Sequence, residues 1–416
     1  MPGNRHFSLV ALSAAIAVTV TLAAHACPFC PPTDATLSEK LADADTACVV
    51  KFVSAKNGEE LSMQTTSFSV VKSLPNKTEL KSGHQVVVPF GVTGKAGDIF
   101  LMLGQLKDGT TEWNLPLALD ELGSEYQYLR NAPAIEQPQA ERLRYFLKFL
   151  DHKNPTIAND AFGEFARAKF EDVEQLAPDL SRQKIRMWLE DPNPQLIVRR
   201  AFYGMLLGLC GNADDATYLE KKVLAPIDPT QNRLGIEGLM GGYLLLKGPA
   251  GLQQLIEKKI NSLPTDLVND PRIDDLNALR MTLSFLWDFR RSQFGEEPLK
   301  AATRRFLDWP QYAELAIVDL ARWRDWKPLD GLIKAYDHEP WETRSAKEKI
   351  VAYALSCRKD IQSPDDADLR ASKAQAQQFL DSLDPDFVEY VKRLTSGPLT
   401  PPKPVVTVTG RDNSSE

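Results

Sequence analysis

Cys27-Pro28-Phe29-Cys30 is the most specific chemical signal in the chain. Two cysteines at this spacing can exchange a disulfide, attach a haem or brace a turn. Redox pairs place the first cysteine at a helix N-terminus after a strand, where the thiolate is stabilised. Here Pro31-Pro32 follow and no folded element precedes, so the surroundings of a redox pair are lacking. Haem attachment needs a histidine directly after the second cysteine, and Pro31 stands there. In an oxidising compartment the expected use is structural. Cys48 lies in the first predicted strand, and one motif cysteine is expected to bond to it, leaving the third unpaired. Cys210 and Cys357 fall on apolar helix faces and read as core thiols.

Other chemistry-bearing residues do not assemble into a known constellation. Gly91 to Ala96 has the glycines and lysine of a phosphate loop, but its spacing is short and Ala96 replaces the metal-binding hydroxyl, so a hairpin turn is expected. Asp214-Asp215, Asp274-Asp275 and Asp365-Asp366 stand at predicted helix starts, where an acid interacts favourably with the helix dipole. His84, His152 and His338 are scattered, and no Gly-x-Ser-x-Gly or His-Glu-x-x-His pattern occurs. No cofactor is called for, and neither catalytic nor metal-ligating residues are assigned. Trp309, Trp323, Trp326 and Trp341 crowd into a short stretch, with Trp287 upstream. Trp323 and Trp326 would share a face at i, i+3. They form either an aromatic interaction surface or a bulky core for the last helices, and the core is the expected role.

The elements that must position these residues fall into two classes. Segments 47–53, 67–71, 85–90 and 98–103 are short and rich in β-branched and aromatic residues. Turn material separates them, including Asn57-Gly58, Ser82-Gly83 and Asp108-Gly109. A short helix through Leu37, Leu41 and Ala44 precedes them. After Pro133 apolar residues recur at i, i+3, i+4 and i+7, and residues 137–394 read as helices with short connections. Ser363 is the expected N-cap of one of these, with Pro364 at its first position. Small residues recur at Ala161, Ala201, Gly238, Ala278, Ala316 and Ala354, at intervals of 37 to 40 residues. The fold class expected is α+β in separate domains: a small all-β barrel over residues 27–132, then an all-α superhelical array over 133–395. Residues 1–26 read as a secretory signal, with Arg5, an uncharged run from Phe7 to Ala24 and the small-residue site Ala24-His25-Ala26. Residues 396–416 read as a Pro-rich disordered tail.

Composition sets limits. The chain has 416 residues, 43% of them apolar and 25% charged, which is ordinary for a globular protein. A net charge of −7 gives no basic footprint for nucleic acid. Five cysteines exclude a disulfide-dense scaffold. No apolar run after the signal is long enough to span a bilayer.

The helical periodicity resembles HEAT or armadillo-type repeats, in which a helix pair buries its apolar face only by stacking on its neighbours. The β region resembles the netrin or tissue-inhibitor-of-metalloproteinase type of OB barrel. The residues that carry this are Cys27, Cys30, the segment Ala44 to Val50, Phe68 to Leu74 and Gly97 to Leu103. In that family a free amine and carbonyl on the first cysteine chelate a protease zinc, which the resemblance would assign to Cys27. The family pattern is Cys-x-Cys rather than Cys-x-x-Cys, and no cysteine follows Cys48 within the barrel. Segments Ala161 to Ala166 and Phe202 to Asn212 also resemble exported repeat proteins of planctomycete-type bacteria.

The function these readings favour is protein binding by an exported, non-catalytic scaffold with an unspecified protein partner. The alternatives are a metalloenzyme inhibitor or metal-binding module acting through Cys27, and a thiol–disulfide oxidoreductase using Cys27 and Cys30. An uncleaved signal or an acylated Cys27 would tether the protein to a membrane. The scaffold reading predicts that replacing Cys27 and Cys30 with serine leaves partner binding by the folded protein intact. Loss of binding by a variant with unchanged circular dichroism would count against it.

Overall fold

A computed structural model describes residues 27–31, 33–56, 64–75, 78–119, 124–226, 233–264, 270, 272–361 and 366–395. The expected signal and the expected tail lie outside the described residues. Helix α1 (Leu37–Asp43) leads into six strands, β1 (Thr46–Lys56), β2 (Thr65–Ser73), β3 (Gln85–Val88), β4 (Ile99–Lys107), β5 (Thr110–Trp113) and β6 (Leu117–Leu119). The helical region begins with α2 (Ser124–Asn131), α3 (Gln139–Phe146), α4 (Pro155–Arg167), α5 (Phe170–Glu174), α6 (Arg182–Glu190) and α7 (Pro194–Ile197). It continues through α8 (Arg200–Cys210), α9 (Ala213–Leu224), α10 (Ile236–Leu255), α11 (Ile273–Phe294) and α12 (Glu296–Arg304). It ends with α13 (Pro310–Arg322), α14 (Leu329–Ala335), α15 (Arg344–Lys359), α16 (Ala367–Asp381) and α17 (Pro385–Leu394).

The strands form one antiparallel sheet in the order β3-β2-β1-β4-β5, with β6 pairing β4 on the same edge as β5. The sheet curls into a half-barrel over residues 46–119. All four expected strands are present. The chain between β4 and β5 turns through Asp108 (φ 50°) and Gly109 (φ 80°), the left-handed pair that a two-residue hairpin requires. Strand β1 shows why its apolar run is continuous rather than alternating. Cys48, Val50 and Phe52 point into the curl with Phe68, Val70, Val86, Val88, Phe100 and Met102. Ala47 and Val49 point the other way and join Leu101, Leu103 and the helices in one larger core. Both faces of β1 are therefore buried, and the period of two is hidden in the sequence.

That arrangement decides the cysteines. Cys27 bonds to Cys30, with an S–S distance of 2.00 Å, and Cys48 remains a buried thiol. The expected bridge from the motif to Cys48 does not form because the partners lie on opposite sides of the sheet. Cys27 belongs to the core shared with the helices, whereas Cys48 faces into the half-barrel. Burial pushes the Cys48 thiol up to about 12. Cys357 is likewise pushed up to about 12, and Cys210 to about 11, as befits core thiols.

The six recurring small residues fall in six separate helices, Ala161 in α4, Ala201 in α8, Gly238 in α10, Ala278 in α11, Ala316 in α13 and Ala354 in α15, and every one is buried. At α8 and α10 the reason is close approach. A methyl on Gly204 would stand 2.8 Å from the Gly238 carbonyl, and one on Gly242 would overlap the Gly204 carbonyl. The two helices touch backbone to backbone. On the other side of α10, Gly241 leaves a slot for the Phe29 ring, which packs on Phe285 with centroids 4.9 Å apart. Helix α10 is interrupted at Gly248, whose φ of 64° breaks it just before Pro249.

The segment after the disulfide is fastened along α4. Thr36 caps α1 in a capping box with Glu39. The Leu37 N–H donates to Asp160 at 2.6 Å, and the Tyr128 hydroxyl donates to the other Asp160 oxygen at 2.6 Å. Arg167 pairs with Glu39 at 2.8 Å. The start expected at Ser363 is three residues later: Asp366 is the N-cap of α16, accepting from Asp368 and Leu369. Ser363, Pro364 and Asp365 lie outside the described residues.

Replacing Gly242 with alanine is expected to lower the denaturation midpoint by about 1–3 kcal/mol of stability, because neither backbone can yield without moving a helix. Gly331, exposed in α14 with open space where a Cβ would sit, is the control. Gly331→Ala should be neutral or stabilise by up to about 1 kcal/mol. Equal responses in urea denaturation would refute the close-packed seam.

Candidate functional site

Three helical hairpins, α11/α12, α13/α14 and α15/α16, bring their turns to one end of the helical region. Between them lies a groove of about 720 Å³ lined by Trp287, Trp323 and Trp326 together with arginines, lysines and carboxylates. Trp287 and Trp323 stack with centroids 4.5 Å apart and planes inclined by 12°. Both are largely buried, so they form its floor. Arg291 and Lys300 lie over the Trp287 ring at 5.0 and 5.4 Å. Trp326 is half-buried: its ring meets Tyr353 edge-on at 5.1 Å, and its indole N–H donates to Asp360 at 2.8 Å.

The structure divides the four expected tryptophans. Trp323 and Trp326 reach the groove. Trp309 is buried and donates to the Pro264 carbonyl at 2.8 Å, and Trp341 packs in the terminal core near Tyr336 and Ile350. The helical i, i+3 relation expected for Trp323 and Trp326 does not hold. Helix α13 ends at Arg322, and the chain turns through Arg324 at a φ of 54°. The turn, not a helix face, brings the two indoles to one groove. Trp287 is the third aromatic and comes from the preceding hairpin; its interval of 36 residues to Trp323, close to the spacing of the recurring small residues, is the sequence signal that pairs them.

Ion pairs fix the rim. Arg304 grips Asp325 with two bonds of 2.6 and 2.8 Å and also reaches Glu297 at 2.8 Å. Lys327 meets Glu297 at 2.9 Å, and Arg324 meets Asp360 at 3.5 Å. Hydrogen bonds from Arg304 and Lys327 hold the Glu297 carboxyl down at about 2. The rim therefore keeps its mixed charge across the whole neutral range.

Of the aspartate pairs, Asp215 and Asp366 cap helices, while Asp215 and Asp275 tie their helices to neighbouring segments. Asp215 is part of the capping box of α9, and Arg182 and Arg186 pair with it at 2.8 and 3.5 Å. Asp275, in the first turn of α11, takes Arg233 at 2.6 Å and Lys259 at 2.7 Å. Sequence reasoning found the helix ends and missed the basic partners, which come from other parts of the chain: Arg182 and Arg186 from α6, Arg233 from before α10 and Lys259 from after it. Segment 91–96 lies in the connection between β3 and β4, an irregular loop rather than the expected hairpin turn, because those strands do not pair with each other. Among the described residues no three His, Cys, Asp or Glu side chains are placed to hold a metal ion. Among the described residues no helix is long and apolar enough to cross a membrane.

Glu297 supplies a pH test. Its folded pKa is depressed, so its contribution is complete above the unfolded value of about 4.3 and fades as pH falls toward 2. The side chain is 56% exposed, so solvent limits that contribution to about 1 kcal/mol at most. Glu297→Gln is expected to lower the melting temperature at pH 7 by about 2 °C or less, with the gap closing between pH 4.5 and 2. A gap independent of pH would refute the assignment. No protein-family model and no curated protein sequence matches this chain.

Proposed function

We propose that this protein is an exported, non-catalytic scaffold that binds a polypeptide partner in the groove between the hairpin turns of α11 to α16. The observation that carries the reading is the composition of that groove. Tryptophan and arginine dominate the residues that anchor protein interfaces, and here three tryptophans are set among Arg291, Arg322 and Arg324. The ion pairs hold those side chains in place before a partner arrives, which reduces the ordering cost of association. The recurrence of small buried residues in successive long helices supports the HEAT-like reading, in which an array of helix pairs offers an extended surface.

The rival readings ask for an accessible Cys27. A zinc-chelating terminus must bring its amine and carbonyl to a metal, but Cys27 is only 5% exposed and lies in the core shared with the helices. An oxidoreductase needs its attacking thiolate at the surface, beside a helix N-terminus. The first helix after the pair starts at Leu37, and Phe29 between the two cysteines is locked in the Gly241 slot. The burial of Cys27 and Phe29 thus favours a bracing disulfide.

The test is a photo-cross-linking residue at Lys327, exposed on the groove rim, and another at Val87, exposed on β3. In extracts of the native host, position 327 should give a discrete adduct that position 87 does not. Charge reversal by Arg324→Glu with Asp330→Lys should abolish it. Identical adducts at both positions, or none at 327, would overturn the assignment.

A further inference from the structure

A second cavity, far in sequence from the groove, carries a buried charge without an ionic partner. It lies between the turn after α3, helix α6 and the α7 loop, encloses about 260 Å³, and is lined by Arg199, Lys184, Trp188, Met187, Leu196, Asp151 and Asp191 among others. Arg199 is 2% exposed. Its guanidinium donates to the Leu150 carbonyl at 2.8 Å and to Asn159 Oδ1 at 2.5 Å, meets the buried Tyr203 hydroxyl, and lies over the Phe162 ring at 5.0 Å. These partners are neutral, and no carboxylate of the described residues stands within 4.0 Å of it. The other buried arginine among the described residues has one: Arg142 pairs with Glu164 at 2.8 Å, with both side chains buried.

The carboxylates on the cavity wall are already engaged. Asp151 accepts from Lys184 at 2.9 Å and from the Trp188 indole at 3.2 Å. Asp191 is exposed and accepts the Asn193 N–H at 2.8 Å. A buried cation is costly unless paired, and all the partners of Arg199 among the described residues are neutral: the Leu150 carbonyl, Asn159 and the Tyr203 hydroxyl. We infer that the cavity binds a small carboxylic acid with an apolar substituent. Its carboxylate meets Arg199, and its hydrocarbon part lies on Trp188, Leu196 and Met187. Met187 is 70% exposed on α6, at the cavity mouth, where an apolar side chain has no packing role.

The probe is butyrate, measured by isothermal titration calorimetry on the full chain at constant ionic strength, against butanol and butylammonium. Saturable binding is expected for butyrate alone. Asn159→Asp is the decisive variant, because it is isosteric and gives Arg199 the carboxylate that it lacks. It should raise the melting temperature and weaken butyrate at least tenfold. Met187→Glu, an exposed change that keeps the helix, should weaken butyrate about threefold or more. The inference is overturned if butyrate does not saturate, if butanol binds as well, or if Asn159→Asp binds butyrate like the parent.

Discussion

Backbone contact between α8 and α10 is the constraint on which the rest of the molecule depends. Two helices ordinarily keep 8–10 Å apart because side chains separate them. Here Gly204 and Gly208 face Gly238 and Gly242 with no room for a methyl group between the backbones. Glycine inside a helix costs roughly 0.5–1 kcal/mol of propensity at each position, so the close approach must return more in dispersion and excluded water. It does so by bringing the large side chains that flank the glycines, Phe202, Tyr203, Leu206, Leu239, Met240 and Tyr243, into one fully packed cluster. Because α10 also carries Gly241 on another face, Phe29 reaches the same cluster from the N-terminal segment. Phe285 then links Phe29 to Phe170 at 5.2 Å, so three distant parts of the chain share one contact.

The half-barrel is consequently held to the helices by more than its own outer face. Its curl has a separate core, and its other face shares the larger one. The disulfide closes a loop of only a few residues and so adds little loop-closure entropy. Its effect is local: it shapes the turn that presents Phe29, while Asp160 and Arg167 secure the following residues on α4. Removing the bridge therefore acts on the seating of Phe29 rather than on the sheet.

Beyond the glycine seam, buried ion pairs set the stacking of later helices. Arg280 of α11 meets Asp319 of α13 at 2.9 Å, and Arg304 of α12 meets Asp325 in the next turn. Such pairs often contribute little net stability, because removing both charges from water offsets their attraction. Breaking one leaves an unpaired charge in the core, which is strongly unfavourable. A helix that slides by one turn breaks its pair, so the ladder opposes misregister more than it adds affinity. The groove inherits this rigidity, since Asp325 belongs to the ladder while Trp326 and Lys327 follow it directly in the wall.

Much of this was legible in the sequence, because periodicity is a local property. The strand runs, the Asp108-Gly109 hairpin and the spacing of small residues each report their element. What stayed hidden depends on which face of an element meets a distant one. Cys48 alternates with Ala47 and Val49, but only the curl of the sheet shows that it faces away from Cys27. Trp323 and Trp326 looked like a helix face until Arg324 turned the chain between them. The helix ends nevertheless explain why a groove forms there. The hairpins α11/α12, α13/α14 and α15/α16 place their turns side by side, and residues at those turns, from Trp287 through Trp323 to Asp360, line one surface although the sequence scatters them. The hairpin turns therefore locate the surface, and the side chains that occupy each turn decide its chemistry.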